Sequence, residues 1–205
     1  TLHLYANTGA LTTFLPGRLA PWMAARPRLH VDLKDRTSKE IVRAVRGGQA
    51  EAGITSDAVD SAPLQLQPVA DDPLLLIVPA THRLATRTSA TFAEVLGDTF
   101  VALADGNALQ EHIEDNARAL GRTLSPRIRM KTFEGVCEMV GHGIGIGIVP
   151  RSICRQHRRR YGFHAIALED AWARRQLSLC FVRWNGLSRS MQSLLLHLGG
   201  HAVDD

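Results

Sequence analysis

Cysteine is scarce. Three residues in 205, Cys137, Cys154 and Cys180, are odd in number, far apart and without a C-x-x-C pair, which argues against a disulfide framework and against a zinc site. A reducing, cytoplasmic compartment fits best. Cys137 lies near the apolar face of a helical stretch and Cys180 inside the strand-like "LSLCFV", so both read as small core fillers. Long apolar runs are missing too. Nothing approaches the roughly 20 residues of a membrane-spanning helix, and no signal peptide opens the chain. Thr1 is not a start residue, so the sequence is expected to be a trimmed piece with something N-terminal to it missing. Low-complexity segments and short repeats are absent.

Catalytic constellations are lacking as well. Nine histidines are scattered. His157 and His164 flank an arginine run, and His197 and His201 stand four apart, but Leu198, Gly199 and Gly200 lie between them where H-E-x-x-H needs a glutamate. They read as frayed surface histidines. "GLSRS" is not G-x-S-x-G, so a hydrolase elbow is unsupported. With no nucleophile and base, carboxylate pair or metal cluster at convincing spacing, the expectation is no catalytic residue, no metal and no cofactor: a binding protein rather than an enzyme.

What is present is ordinary globular composition, 45% hydrophobic and 21% charged, enough for one α/β domain or two small lobes. The formal charge is +4 and the sequence pI near 9.3. Much of that excess is local, because "RSICRQHRRR" holds Arg151, Arg155, Arg158, Arg159 and Arg160. Without aromatics to stack on bases, the stretch reads as a solvated helix face or loop rather than a nucleic-acid patch.

"EMVGHGIGIGIVPRS", residues 138–152, raises the question of a phosphate cradle. A dinucleotide fingerprint needs G-x-G-x-x-G after a strand and opening a helix. Here Ile146 and Ile148 occupy the sixth positions, and Val136, Met139 and Val140 mark a helix that ends at the glycines. Gly141 or Gly143 can take its left-handed cap, and phosphates avoid that negative end of the dipole. "IGIGIVP" then alternates like a strand with one face crossed closely by backbone or a helix.

Strand-like and helix-like segments alternate throughout. "LHLY" is a strand, followed by a polar loop and a helix with Leu15, Leu19, Trp22 and Met23 on one stripe, capped by Thr12 or Thr13 ahead of Pro16. "LHVDLKD" is a strand, "RTSKEIVRAVRGG" a helix with the capping box Thr37 and Glu40, and "EAGIT" a third strand. This β-α-β-α-β order predicts parallel pairing with right-handed crossovers. After two strands split around Asp71, Asp72 and Pro73, the alternation repeats: a capping box at Thr91 and Glu94, the strand "TFVAL", a helix capped by Asn107, the strand "RIRMK", and a helix capped by Thr132. Strands "FHAIAL" and "QLSLCFV" and a helix from Ser188 close the chain. Strand-to-helix loops at residues 8–13, 37–38, 102–107 and 132–133 would emerge at carboxyl edges, where backbone N–H groups and Thr, Ser and Asn side chains suit a small anion. Each of these side chains can equally be a cap that stabilises only its own helix.

The ordered set resembles the effector-binding domain of LysR-type transcriptional regulators. The opening residues 1–55 are similar, with a polar loop, a leucine-proline helix and "ARP" before the second strand; so are "PLLLIVPATHRLA", with its His after the proline, and "MVGHGIGIGIVP". The resemblance covers nearly the whole chain. It implies an α/β, two-lobed periplasmic-binding-protein-like type II fold, each lobe a mainly parallel sheet flanked by helices, with residues 1–71 and 170–205 as lobe I and 72–169 as lobe II. It implies a small effector in the interlobe cleft and a homodimer or tetramer; the pair of extended connections between the two halves suggests lobe closure about residues 69–73 and 167–171. DNA would be contacted only through an N-terminal winged helix-turn-helix that this sequence lacks, with RNA polymerase as a further partner and no membrane. Effector contacts carried over by position are Asn7, Thr8, Gly9 and Ala10, Thr37 and Ser38, Ala102 and Leu103, and Thr132 and Phe133. At Ala102 and Leu103 the family's usual polar residue is absent, which suggests one apolar wall. A solute-binding protein of a transport system shares this fold and cleft and is the alternative.

Overall fold

The computed structural model describes residues 1–56 and 61–203. Contacts divide the chain into two compact units, Thr1–Asp71 with Gln176–Asp205, and Asp72–Arg175.

In the first unit, β1 (Leu2–Ala6), β2 (Val31–Asp35), β3 (Ala52–Ser56) and β4 (Gln65–Asp71) alternate with α1 (Leu15–Ala24) and α2 (Ser38–Arg46). The sheet order is β2-β1-β3-β11-β4, with β11 (Gln176–Phe181) entering between β3 and β4. β1 pairs in parallel with β2 and β3, as the β-α-β-α-β pattern requires, and β11 runs antiparallel to both its neighbours. Period-two alternation sends β11 into two cores. Leu177, Leu179 and Phe181 join Leu4, Leu15, Trp22 and Leu194 on one side, while Cys180 meets Tyr5, Ile41 and Val45 on the other. All five residues of β3 are buried, as expected of a strand covered on both faces.

The second unit begins with β5 (Leu74–Val78), β6 (Ser89–Ala90) and α3 (Phe92–Val95), then β7 (Val101–Leu103), α4 (Ala108–Ala119), β8 (Ile128–Met130), α5 (Phe133–Gly141), β9 (Gly147–Pro150), α6 (Arg151–Tyr161) and β10 (His164–Leu168). One sheet runs β6-β10-β5-β9 and a second pairs β7 with β8 in parallel. A parallel bridge between Phe100 and Ile146 connects them, so the order through the bridge is β8-β7-β9-β5-β10. This repeats the first unit's pattern: second strand, first, third, one antiparallel insertion, fourth. β5 is that insertion, antiparallel to β9 and β10. The final helix, α7 (Arg189–His197), belongs to the first unit.

Residues 170–175, which the sequence reading grouped with 1–71, pack in the second unit. The Asp170 carboxylate accepts the Phe92 N–H at 2.7 Å, and the Trp172 ring stands edge-on to Phe92 at 5.1 Å. Residues 167 and 168 lie inside β10.

The glycine run is structural. Gly143, at φ +78°, ends α5 in a Schellman motif: its N–H donates to Val140 O at 2.9 Å and the Ile144 N–H to Met139 O at 3.1 Å. A Cβ on Gly145 would lie 2.6 Å from Thr99 O, and one on Gly147 2.9 Å from Val136 Cγ1 on α5. Backbone crosses one glycine and a helix the other.

Candidate functional site

At the carboxyl edge of the first unit, β1 leads into a helix that starts earlier than its sequence suggests. Asn7, 4% exposed, accepts the Ala10 N–H on Oδ1 at 2.9 Å. Asn7 therefore supplies the cap expected of Thr12 or Thr13. Those two hydroxyls instead donate back one turn, to Thr8 O at 2.8 Å and Gly9 O at 2.7 Å, across a π-helical turn at Ala10–Phe14 that runs on into α1. Such back-bonding distorts helices. Gly9 and Ala10 are buried in that first turn. Asn7 Nδ2 is buried with no hydrogen-bond partner among the described residues, an uncommon and costly state for a native amide donor.

Thr8 reaches sideways to the neighbouring strand. Its Oγ1 donates to the Asp35 carboxylate at 2.9 and 3.1 Å, tying the loop after β1 to the end of β2. The adjacent Arg36 anchors its N–H on Ala6 O at 3.0 Å and brings a cation to the same edge. Thr37 and Glu40 close the expected capping box, with the Thr37 N–H on Glu40 Oε2 at 2.8 Å and the Glu40 N–H on Thr37 Oγ1 at 3.3 Å. Ser38 Oγ donates to Ser56 O at 3.1 Å and accepts the Ser56 N–H at 3.2 Å, fastening α2 to the end of β3. Thr8, Thr37 and Ser38 thus all spend hydroxyls on the scaffold, and what α2 still presents at this edge is its first-turn N–H groups.

In the second unit, Ala102 and Leu103 are each 3% exposed. The polarity absent from their side chains comes from elsewhere. The Leu103 N–H donates to Gln110 Oε1 at 3.0 Å, and Gln110 Nε2 to Glu114 Oε1 at 3.0 Å. Arg129, paired in register with Ala102, reaches Glu114 and Leu103 O, each at 3.2 Å, and lies 3.2 Å from Asp105. The Asn107 side chain accepts the N–H groups of Leu109 and Gln110. Thr132 caps α5 through the Gly135 N–H at 3.0 Å, and Phe133 is buried at the start of that helix. Asp35, Arg36, Ser56, Gln110 and Arg129 were not singled out from the sequence; the partners of all but Gln110 lie far along the chain, whereas those of Gln110 are seven and four residues away.

Other candidates resolve structurally. His82 accepts the Leu84 N–H on Nδ1 at 3.1 Å, which leaves Nε2 to donate to Asp98 at 3.2 Å, so the histidine after the proline braces its own turn. His197 Nε2 lies 2.8 Å from Arg18 O, and His201 is beyond the end of α7. No three His, Cys, Asp or Glu side chains among the described residues could hold a metal. All three cysteines are buried, and desolvation pushes each thiol up to about 12. Among the described residues, no helix is long and apolar enough to cross a membrane.

Residues 1–202 match the family described as LysR substrate binding domain. This chain belongs to that family. Among solved structures, the LysR-domain fold reappears in the Synechocystis PCC6803 CcmR regulatory domain in complex with 2-PG, with a TM-score of 0.73, 19% identity, and coverage of 96% of this chain and 94% of that one. It reappears in the C-terminal domain of a probable LysR family regulator from Rhodococcus sp. RHA1, with a TM-score of 0.68, 20% identity, and coverage of 97% and 98%. Among curated relatives, the HTH-type transcriptional regulator CysL of Bacillus subtilis is 24% identical over 69% of this chain and 48% of its own length. The dual regulator OxyR of Escherichia coli is 23% identical over 76% and 51%. The LysR domain described here thus spans about half the length of these relatives. The two-lobed type II periplasmic-binding-like fold is that of the neighbours. Regulators on every side do not favour the transport alternative.

Proposed function

We propose that this chain is the effector-sensing part of a DNA-binding transcriptional regulator, and that it binds a small anionic metabolite rather than catalysing a reaction. Membership of the LysR substrate-binding family supports the sensing role. The sign of the ligand is argued from Asn7. Its amide offers a buried donor with no acceptor among the described residues, at the start of a helix where N–H groups also favour negative charge. Thr8 contributes mainly by holding Asp35, since its only hydroxyl proton is directed there. At Thr37 and Ser38 the first-turn N–H on offer is that of Ser38, since the Thr37 N–H is committed to Glu40. Ala102, Leu103, Thr132 and Phe133 are the second unit's contacts, more apolar, with Arg129 nearby as the cation. Effector binding biases the regulator only through unequal affinity for its conformations, and a coupling of about 1–3 kcal/mol suffices for regulation.

Some relatives are named hydrogen peroxide-inducible genes activators; the thiols of this chain do not fit a peroxide-reactive role, because that needs an accessible thiolate and these are buried, with burial pushing each up to about 12.

A thermal-shift screen of carboxylates, amino acids and inorganic anions tests the reading. A ligand at 100 times its Kd adds about 2.7 kcal/mol, roughly 5–10 °C for a chain of this size. Asn7→Asp keeps the oxygen that caps the helix but turns the orphan donor into an acceptor. The hit should vanish in Asn7→Asp while the unliganded melt stays within a few degrees. An unchanged ligand shift in Asn7→Asp would remove this loop from the site.

A further inference from the structure

We propose that the outer face of α6 is a second binding surface, for the sugar-phosphate backbone of double-stranded DNA. α6 carries five arginines and no acid, more positive charge than the +4 of the entire chain. Around a helix of 3.6 residues per turn, Arg151, Arg155, Arg158 and Arg159 fall within an arc of about 100°. That arc lies opposite the buried Ile153, with the other buried residue of the helix, Cys154, between the two. None of these four forms an ion pair among the described residues. Two acids meet the helix outside this arc: Asp72 accepts the Ser152 N–H at 3.2 Å and hydroxyl at 2.9 Å at the first turn, and Glu134 on α5 is engaged on the other flank by Arg160 at 3.2 Å, Tyr161 at 2.8 Å and His157 at 3.9 Å.

Helix stability does not account for the stripe. Cations in the last turn are favoured by the dipole, which covers Arg158 and Arg159, but Arg151 occupies the first helical position and Arg155 the middle, where a positive charge costs energy or brings none. Four like charges on one face also repel at i, i+4 spacing. A polyanion would relieve both penalties. Arg151 to Arg159 spans about 12 Å at 1.5 Å per residue, against one phosphate per 3.4 Å of axis on each DNA strand, so roughly three phosphates lie within reach. Arginine forks match phosphate oxygens, and the lack of aromatics on this face points to backbone contact without base reading. The choice of duplex DNA over another polyanion rests on the regulator reading above; the existence of the surface does not.

The test is fluorescence anisotropy of the 205-residue chain with a 30-base-pair duplex of arbitrary sequence, from 20 to 200 mM NaCl. Three neutralised phosphates give a log–log salt slope near −2.7, which is a loss of about 40-fold between 50 and 200 mM. R155E/R158E/R159E should abolish binding and leave any effector-induced shift intact, at a cost of a few degrees in the melt for placing acids in the last turn, since these side chains are exposed and form no ion pair among the described residues. No binding at 20 mM, or a salt slope unchanged in the triple variant, overturns the proposal. Equally tight binding of polyglutamate through the same arginines overturns the DNA assignment in favour of an acidic protein partner. Failure of the regulator reading would show separately, as an absent effector response in the parent chain.

Discussion

Two glycine-to-alanine changes in helices should act with opposite sign. In Gly17→Ala, on the exposed side of α1, a new Cβ meets nothing within 4 Å, so only helix propensity and unfolded-state entropy change. Alanine is favoured over glycine by about 0.5–1 kcal/mol. Gly141→Ala gains the same propensity at the end of α5, but its Cβ would sit 3.0 Å from Tyr161 Cβ, 3.1 Å from Tyr161 C and closer still to the Tyr161 carbonyl oxygen. Backbone of α6 cannot swing aside as a side chain can, and α5 packs directly on α6. Overpacking of this kind costs typically 1–3 kcal/mol, which outweighs the propensity gain and leaves a net loss of about 1–2 kcal/mol. At roughly 2–4 °C per kcal/mol for a chain of this length, Gly141→Ala should melt about 2–8 °C lower and Gly17→Ala about 1–4 °C higher. Thermal melts by circular dichroism, checked against urea midpoints, read both. A Gly141→Ala protein as stable as Gly17→Ala would refute the close approach of α5 to α6 and reopen the reading of the glycine run.

Acid should act partly through Glu94, whose carboxyl is held down from 4.5 to about 2, first by the Thr91 N–H and then by Arg87. A carboxylate with a depressed folded pKa contributes stability above its unfolded value and loses it as pH falls through the folded one. Glu94→Gln should therefore flatten the decline in melting temperature between pH 5 and 2, and an identical acid limb would discount the box at α3. The cysteines, pushed up to about 12 by burial, should resist alkylation at pH 8 until the chain unfolds, when all three react together; rapid native labelling of even one would contradict its burial.

Local features were legible in the sequence. Thr37 with Glu40, Thr91 with Glu94, Asn107, Thr132 and Ser188 all stand at the starts of the helices assigned to them, because a cap is decided within three or four residues. The antiparallel direction of β5 and β11 was not legible. "LLLIV" and "LSLCFV" are apolar enough to be buried on both faces, and such a run carries no mark of direction. The early start of the first helix was missed for a related reason. Nothing about Thr12 and Thr13 announces that their hydroxyls would turn back onto Thr8 and Gly9 rather than cap the next helical turn.

The same division between local and distant partners separates scaffold from selectivity at the candidate site. Thr37, Ser38, Asn107 and Thr132 use their side-chain oxygens to hold helices and strands together, so removing any of them first costs stability, about 1 kcal/mol for a cap. Discrimination between ligands must then fall to atoms not committed in this way and to groups that set the local charge. In the first unit these are the Asn7 amide, beside the Thr8 and Asp35 pair that spans 27 residues of chain, and Arg36. In the second, Arg129 is tied to Glu114 and Asp105, so an anion approaching Leu103 meets a guanidinium already partly compensated.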